Sequence, residues 1–214
     1  AGQGSYHGRA PVARPARAMA EWRVLRSHSL GVLYRLTGTI AAARDPAEIY
    51  DLAIEAMCEA VGADRASVLL FDASGVMRFR AWRGLSEGYR AAVEGHSPWS
   101  VDAPDPAPIV IPDVTVDAEP GPLKDVVLAE GIRALAFIPL VAQGRLLGKF
   151  MLYFDGPRTL SDDDLAAARA IAALIAFAIE RARQDLRLQD ILRREQEARG
   201  EAQALLSVIQ AVSG

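Results

Sequence analysis

Apolar residues crowd both faces of one stretch of this chain. Within residues 131–154, Ile132, Ala134, Ala136, Ile138 and Leu140 alternate with Leu135 and Phe137. After Gln143-Gly144, Phe150, Leu152 and Phe154 alternate with Leu147, Met151 and Tyr153. Alternation of this kind predicts two strands, and Gln143-Gly144 suits a tight hairpin because Gly accepts positive φ. An antiparallel sheet commonly leaves one face wet. A hairpin dry on both faces predicts helices behind it and a cover in front.

The flanking pattern supplies both. From Glu21 to about Ala43, Trp22, Leu25, Leu33, Leu36 and Ile40 recur at near-helical intervals, with Gly31 and Gly38 as weak points. Asp45-Pro46 is an N-cap followed by a first-turn proline. The helix it opens is expected to bury Ile49, Leu52, Ala53, Ala56 and Ala60 and to end at Gly62. Cys58 falls opposite Ile49 on this helix, away from the predicted apolar face. Ala66–Phe71 and Val76–Trp82 read as strands joined by Asp72-Ala73-Ser74-Gly75. The second points Met77, Phe79 and Ala81 inward and Arg78 and Arg80 outward, the pattern of a strand near a sheet edge. A short helix over Ser86–Val93 precedes a proline-laden loop from Gly95 to Pro108, long enough to cover a site. Ile109-Ile111, bracketed by Pro108 and Pro112, is expected at the opposite edge, because proline cannot donate to a ladder. A helix around Pro122–Glu130 leads into the hairpin.

Ser161 with Asp164 three residues on predicts a capping box for the last helix, and Asp162-Asp163-Asp164 places favourable charge at its start. Leu165, Ala168, Ala172, Ile175, Ile179, Ala182 and Leu186 keep three-four spacing, a coiled-coil-like seam. This spacing assigns Ile175, Ile179, Ala182 and Leu186 to a dimer interface. Beyond Leu186 the chain turns charged, with Leu188, Ile191 and Leu192 as its apolar stripe, and the helix is expected to reach about Arg199. Residues 1–20 lack periodicity and are expected to be flexible; residues 21–182 form one domain; residues 183–214 form a linker helix. A faint likeness of residues 204–214 to residues 29–38, and an opening on Ala1 in place of Met, lead us to expect a further module downstream.

Composition narrows the function. With 214 residues, 51% hydrophobic and 24% charged, the chain holds one generous domain with extensions. A net charge of −3 gives no reason to expect nucleic acid or an anionic membrane as partner. One cysteine excludes an internal disulfide framework and argues against a cysteine-built zinc site; it suits a reducing cytoplasm and is also compatible with export. The most apolar helical run, Ala170–Ile179, is about half the ~20 residues a bilayer requires. There is no Gly-rich phosphate loop, no paired His/Glu metal spacing and no nucleophile elbow. Catalysis and a metal site are therefore not expected, and the sequence requires no cofactor.

The order of elements, together with Asp64–Asp72, Ile111-Pro112-Asp113-Val114 with Asp117, Gly131-Ile132-Arg133, Ile138-Pro139-Leu140 and Gly144–Gly148, resembles a GAF domain over roughly residues 30–182. Glu94–Trp99 is similar to GAF modules of bacterial sensor histidine kinases. The resemblance implies an α+β fold: an antiparallel sheet with helices on one face, pocket loops on the other and a long C-terminal signalling helix. It implies a regulatory input domain with a pocket beside the third strand, bounded by Trp82, His96, Trp99, Ile111 and Phe137. Its helix would pair in a homodimer and drive a downstream kinase or cyclase. Other readings stay open. His96 is a haem ligand, as in gas-sensing relatives, or a hydrogen-bonded loop residue. Trp82 is a pocket wall or plain core. Asp113 and Asp117 cap or brace the next helix more readily than they bind a ligand. Cys58 lies outside the family's bilin attachment region. Methionine sulfoxide reductases of this fold need several cysteines, and the cyclic-nucleotide signature is not recognisable. The alternative function is a ligand-free dimerisation spacer and, behind it, a haem- or bilin-binding photoreceptor or gas sensor.

Overall fold

Five antiparallel strands form one sheet in the order β2-β1-β5-β4-β3. The computed structural model describes residues 31, 34–40, 45–117 and 121–213. The flexible segment expected at residues 1–20 lies outside the described residues. So does most of the helix expected from Glu21 to Ala43; residues 34–40 of it are helical (α1), with Leu36 and Ile40 buried. The remaining elements are α2 (Pro46–Val61), β1 (Arg65–Phe71), β2 (Met77–Arg83), α3 (Glu87–Val93), β3 (Ile109–Ile111), a 3-10 turn (Gly121–Leu123), α4 (Lys124–Ala129), β4 (Ala134–Ala142), β5 (Arg145–Phe154) and α5 (Asp162–Ser213).

Local chemistry sets the boundaries. The Asp45 carboxylate accepts from Ala47 N at 2.9 Å, Pro46 occupies the first turn, and Gly62 closes α2. Asp72 Oδ1 accepts from Ser74 N, Ser74 Oγ and Val76 N, which fixes the turn between β1 and β2. Those donors hold its carboxyl far below the usual carboxylate range. The β4–β5 hairpin turns through Gln143 and Gly144 with φ of 51° and 72°, a pair of left-handed residues that matches the twist of the flanking strands. Ser161 and Asp164 cap α5 reciprocally, at 3.0 and 3.1 Å. Both edge assignments hold: β2 and β3 end the sheet, and the β4–β5 hairpin lies within it.

Two apolar clusters sandwich the sheet. Behind it, Ile49, Ala53 and Met57 of α2 and Ile171, Ile175 and Ile179 of α5 pack on Val68, Leu70, Ala136, Ile138, Phe150 and Leu152. In front, Leu69, Met77, Leu135, Met151 and Tyr153 meet Tyr89 and Val93 of α3, Val127 of α4 and Ile111.

Several expectations are corrected. Met77 and Phe79 face the front while Ala81 faces the rear, because a bulge opposite Val68/Leu69 shifts the alternation of β2. Leu147 joins the rear layer through a second bulge at Leu140/Val141, and Ile132, ahead of β4, joins the front layer. Cys58 is buried in the rear core, since α2 is enclosed by other elements beyond the face that Ile49 marks. Burial raises its thiol pKa.

The largest correction concerns α5. Ile175 and Ile179 are fully buried and Ala182 nearly so, all in this chain's own rear core. The three-four seam is the stripe that docks α5 onto its own domain, so those residues are not an interface between copies. Leu186, half exposed, continues the stripe where the helix leaves the domain. α5 runs on to Ser213, past the expected Arg199, with Arg193–Glu197, Arg194–Asp190 and Arg199–Glu195 ion pairs at i,i+4 spacing. No helix among the described residues is long and apolar enough to cross a membrane.

Candidate ligand cavity between sheet and loops

The front cluster does not close completely. A cavity of about 240 Å³ lies between β1, β5 and β4 on one side and α3, α4 and residues 96–98 on the other. Leu69, Ile111, Val127, Leu135, Phe137 and Met151 give it apolar walls. The volume falls below the ~300–1,000 Å³ of pockets for drug-sized ligands. A small molecule fits it as it stands.

Polar atoms inside the walls are arranged in two groups. Tyr153 Oη lies 2.9 Å from Ser67 Oγ, and the Tyr89 hydroxyl bonds to Tyr153. The two rings meet edge to face at 5.9 Å. Burial pushes Tyr89 up to about 12 and Tyr153 well above the usual phenol value, so both are neutral hydrogen-bonding groups. The second group is Lys149, a residue only 5% exposed. Its ammonium donates to the His96 carbonyl at 2.8 Å and sits 5.2 Å from the centre of the Phe137 ring. Burial alone lowers its pKa from 10.5 to about 8.

A clasp of ion pairs fixes the walls. Glu130, at the end of α4, accepts from Ser86 N and Ser86 Oγ, both at 2.6 Å. Arg65 of β1 donates to the Glu130 carbonyl at 2.8 Å and pairs with Asp155 at 2.9 Å. On the other side of α3, Glu94 accepts from Arg78 at 3.0 Å. The helices over the cavity are thus tied to one another and to the sheet.

Of the residues expected at a pocket, His96, Ile111 and Phe137 line this one. Trp99 packs edge to face on Phe137 at 6.5 Å and reaches the cavity only through that ring. Trp82 is not among the lining residues. On the edge strand and 43% exposed, it carries the Arg90 guanidinium 3.9 Å over its ring and borders a separate, open recess with Ala47, Asp51, Arg80 and Ala81. His96 contributes its carbonyl to Lys149 while the residue as a whole is exposed. Asp113 braces the turn after β3 by accepting from Thr115 N and Thr115 Oγ1. No cluster of three or more His, Cys, Asp or Glu groups placed to hold a metal exists among the described residues. Cys58 is on the far side of the sheet from the cavity.

Lys149, Tyr89 and Tyr153 are among the wall residues that sequence reasoning missed. A signal for Lys149 is present: it is the one charge between Leu146 and Phe154, in a strand expected dry on both faces.

Lys149 makes the ligand-free domain less stable. Its folded pKa lies below its unfolded one, so below about pH 8 the ammonium is charged in both states and its burial penalty is fully present. The penalty fades as pH rises from about 8 towards 10.5, and stability from this group rises with it. Lys149→Met is expected to raise stability by about 1–3 kcal/mol at pH 7, after allowing for the lost bond to His96. Urea unfolding at pH 7 and 9.5 checks this: the gap between variant and native chain should narrow at the higher pH. A gap that widens would contradict it. Tyr89 and Tyr153 titrate above this window.

A cavity of ligand size between an antiparallel sheet and a loop cap, with a long helix behind, defines a sensory-domain layout. The GAF domain family matches residues 45–179, and the chain belongs to that family. A solved domain ascribed to a two-component sensor histidine kinase of Sinorhizobium meliloti is 44% identical, with a TM-score of 0.63 over 66% of this chain and 96% of that one. A GAF domain ascribed to a sensor histidine kinase of Pseudomonas syringae pv. tomato shares the fold at 18% identity, with a TM-score of 0.59 over 83% and 99% of the two chains. The chromophore-binding domain of a bacteriophytochrome from R. palustris shares it at 19% identity and a TM-score of 0.55, over 73% and 62%. No curated protein matches the chain.

Proposed function

We propose that this chain is the non-catalytic input module of a bacterial signalling protein, a sensor histidine kinase, which reads a small molecule in the front cavity. The observation that carries this reading is the single strand layer between cavity and helix. On β4, Leu135 and Phe137 face the cavity side while Ala134, Ala136 and Ile138 pack in the rear core with α5. A ligand that shifts β4 therefore strains the seat of α5, and a coupling of ~1–3 kcal/mol suffices for regulation. The likeness to a histidine kinase domain at 44% identity supports the choice of output. The cavity's size and the distance of Cys58 from it favour a small metabolite over a tetrapyrrole.

In this reading α5 meets a second copy of the chain along its outer face. Phe177 is 61% exposed, and Leu188 and Ile191 are exposed beyond it. At 3.6 residues per turn these three fall within about 40° of one line on the helix, on the side away from Leu186.

Thermal unfolding of the 214-residue chain against a panel of neutral, anionic and cationic metabolites tests ligand reading. A ligand at about 100-fold over its Kd contributes ~2.7 kcal/mol, a rise in Tm of roughly 5–10 °C for a domain of this size. Native mass spectra should then show the matching adduct. No shift and no adduct across the panel would leave the structural spacer as the better account.

A further inference from the structure

The front cavity joins two features that sit badly together without a ligand. Its walls are hydrocarbon and aromatic, yet a lysine ammonium is buried in them. An ammonium carries three donors, and Lys149 has one protein hydrogen bond, to the His96 carbonyl at 2.8 Å. Among the described residues no carboxylate lines the cavity and none forms an ion pair with Lys149. The hydroxyls in the wall are engaged elsewhere. Ser97 Oγ donates to Trp99 O at 2.8 Å, and the tyrosine hydroxyls bond to each other and to Ser67. A buried charge is ordinarily paired, because leaving water without a counter-charge costs several kcal/mol.

We propose that the cavity binds a small monocarboxylate, with its carboxylate on Lys149 Nζ and its hydrocarbon body against Leu69, Ile111, Val127, Leu135 and Met151. The inference rests on the sensory reading above and names the class of ligand. One positive charge matches one carboxylate. A phosphate or a nucleotide would bring more charge and more acceptors than a single ammonium in apolar walls can satisfy. A neutral ligand would leave the ammonium without a counter-charge, and an amine would repel it. The two donors that His96 leaves on Lys149 suffice for one carboxylate, so the loop and the ligand share the same cation. Branched or aromatic short-chain acids match the cavity of about 240 Å³.

Calorimetric titration of the 214-residue chain tests this with isovalerate and phenylacetate against isovaleramide and phenylacetamide. These pairs keep shape and remove the charge. At least one acid should bind saturably, and its amide about tenfold or more weakly, as expected for a lost hydrogen bond to a charged group. In Lys149→Met the acid should fall to the level of its amide, while amide binding persists and shows the cavity intact. Equal binding of acid and amide to the native chain overturns the proposal. So does an acid preference retained by Lys149→Met. If neither acid binds but a cationic or neutral metabolite raises Tm, the carboxylate assignment fails and the sensory reading stands. If nothing in either set binds, both fall.

Discussion

Ile179→Asp will remove about 4–5 kcal/mol of stability, enough to unfold a domain of ordinary marginal stability. Ile179 is fully buried in the rear core between α5, α2 and the sheet. The substitution deletes a packed hydrocarbon side chain and leaves a carboxyl group there without a partner. Three-four spacing alone would predict the opposite result: a folded domain with weakened self-association. Phe177→Asp separates the two. Two residues away on the same helix, Phe177 is 61% exposed, and its replacement should leave urea unfolding of the isolated domain unchanged while sedimentation shows less dimer. A folded, monomeric Ile179→Asp would show that α5 docks elsewhere than on its own domain. A Phe177→Asp chain that self-associates like the native one would remove the outer face as the contact between copies.

Gly148→Ala will cost about 3 kcal/mol. A Cβ at this position would lie 2.0 Å from Leu69 O and 2.7 Å from Leu70 Cα. These are backbone atoms of β1, so no side-chain rotation relieves the clash. Gly148 is held on both sides, opposite Leu70 in β1 and Leu140 in β4. Neither neighbour can retreat without breaking a ladder at the centre of the sheet. The close approach also positions the cavity wall, since Leu69 precedes Leu70 and Lys149 follows Gly148. Urea unfolding with far-ultraviolet circular dichroism checks the loss. A midpoint equal to that of the native chain would mean that β1 and β5 separate freely there, which the paired register forbids.

The cavity and the helix seat belong to one mechanical unit. Lys149 and Phe150 are adjacent on β5, and they point to opposite sides: the ammonium into the front cavity, the phenyl ring into the core shared with α5. Under the carboxylate proposal, keeping a desolvated lysine in the ligand-free state lowers stability in exchange for recognition, a common relation at binding sites. Lys149→Met is therefore expected to be both more stable and unresponsive to acids.

Much of the fold comes from local rules that operate on neighbours in sequence. Asp45-Pro46 and Ser161–Asp164 start helices because side-chain acceptors meet free backbone N–H groups within three residues. Pro108 and Pro112 confine β3 to an edge because proline lacks a donor, and Gln143-Gly144 closes the hairpin through its own φ angles. His96, Ile111 and Phe137 were nameable as candidates because the loop and strands they sit on are readable in this way. Tertiary structure decided what no short window encodes. Two bulges changed which face Ala81 and Leu147 occupy, because one extra residue inverts the alternation after it. α5 put its apolar stripe into its own domain, and α2 buried Cys58, because burial depends on which element packs where. Spacing measures only whether a stripe exists. The setting of the Lys149 ammonium has the same cause: the charge is visible in sequence, but its isolation in hydrocarbon arises only when β5, α3 and the loop at His96 close around it.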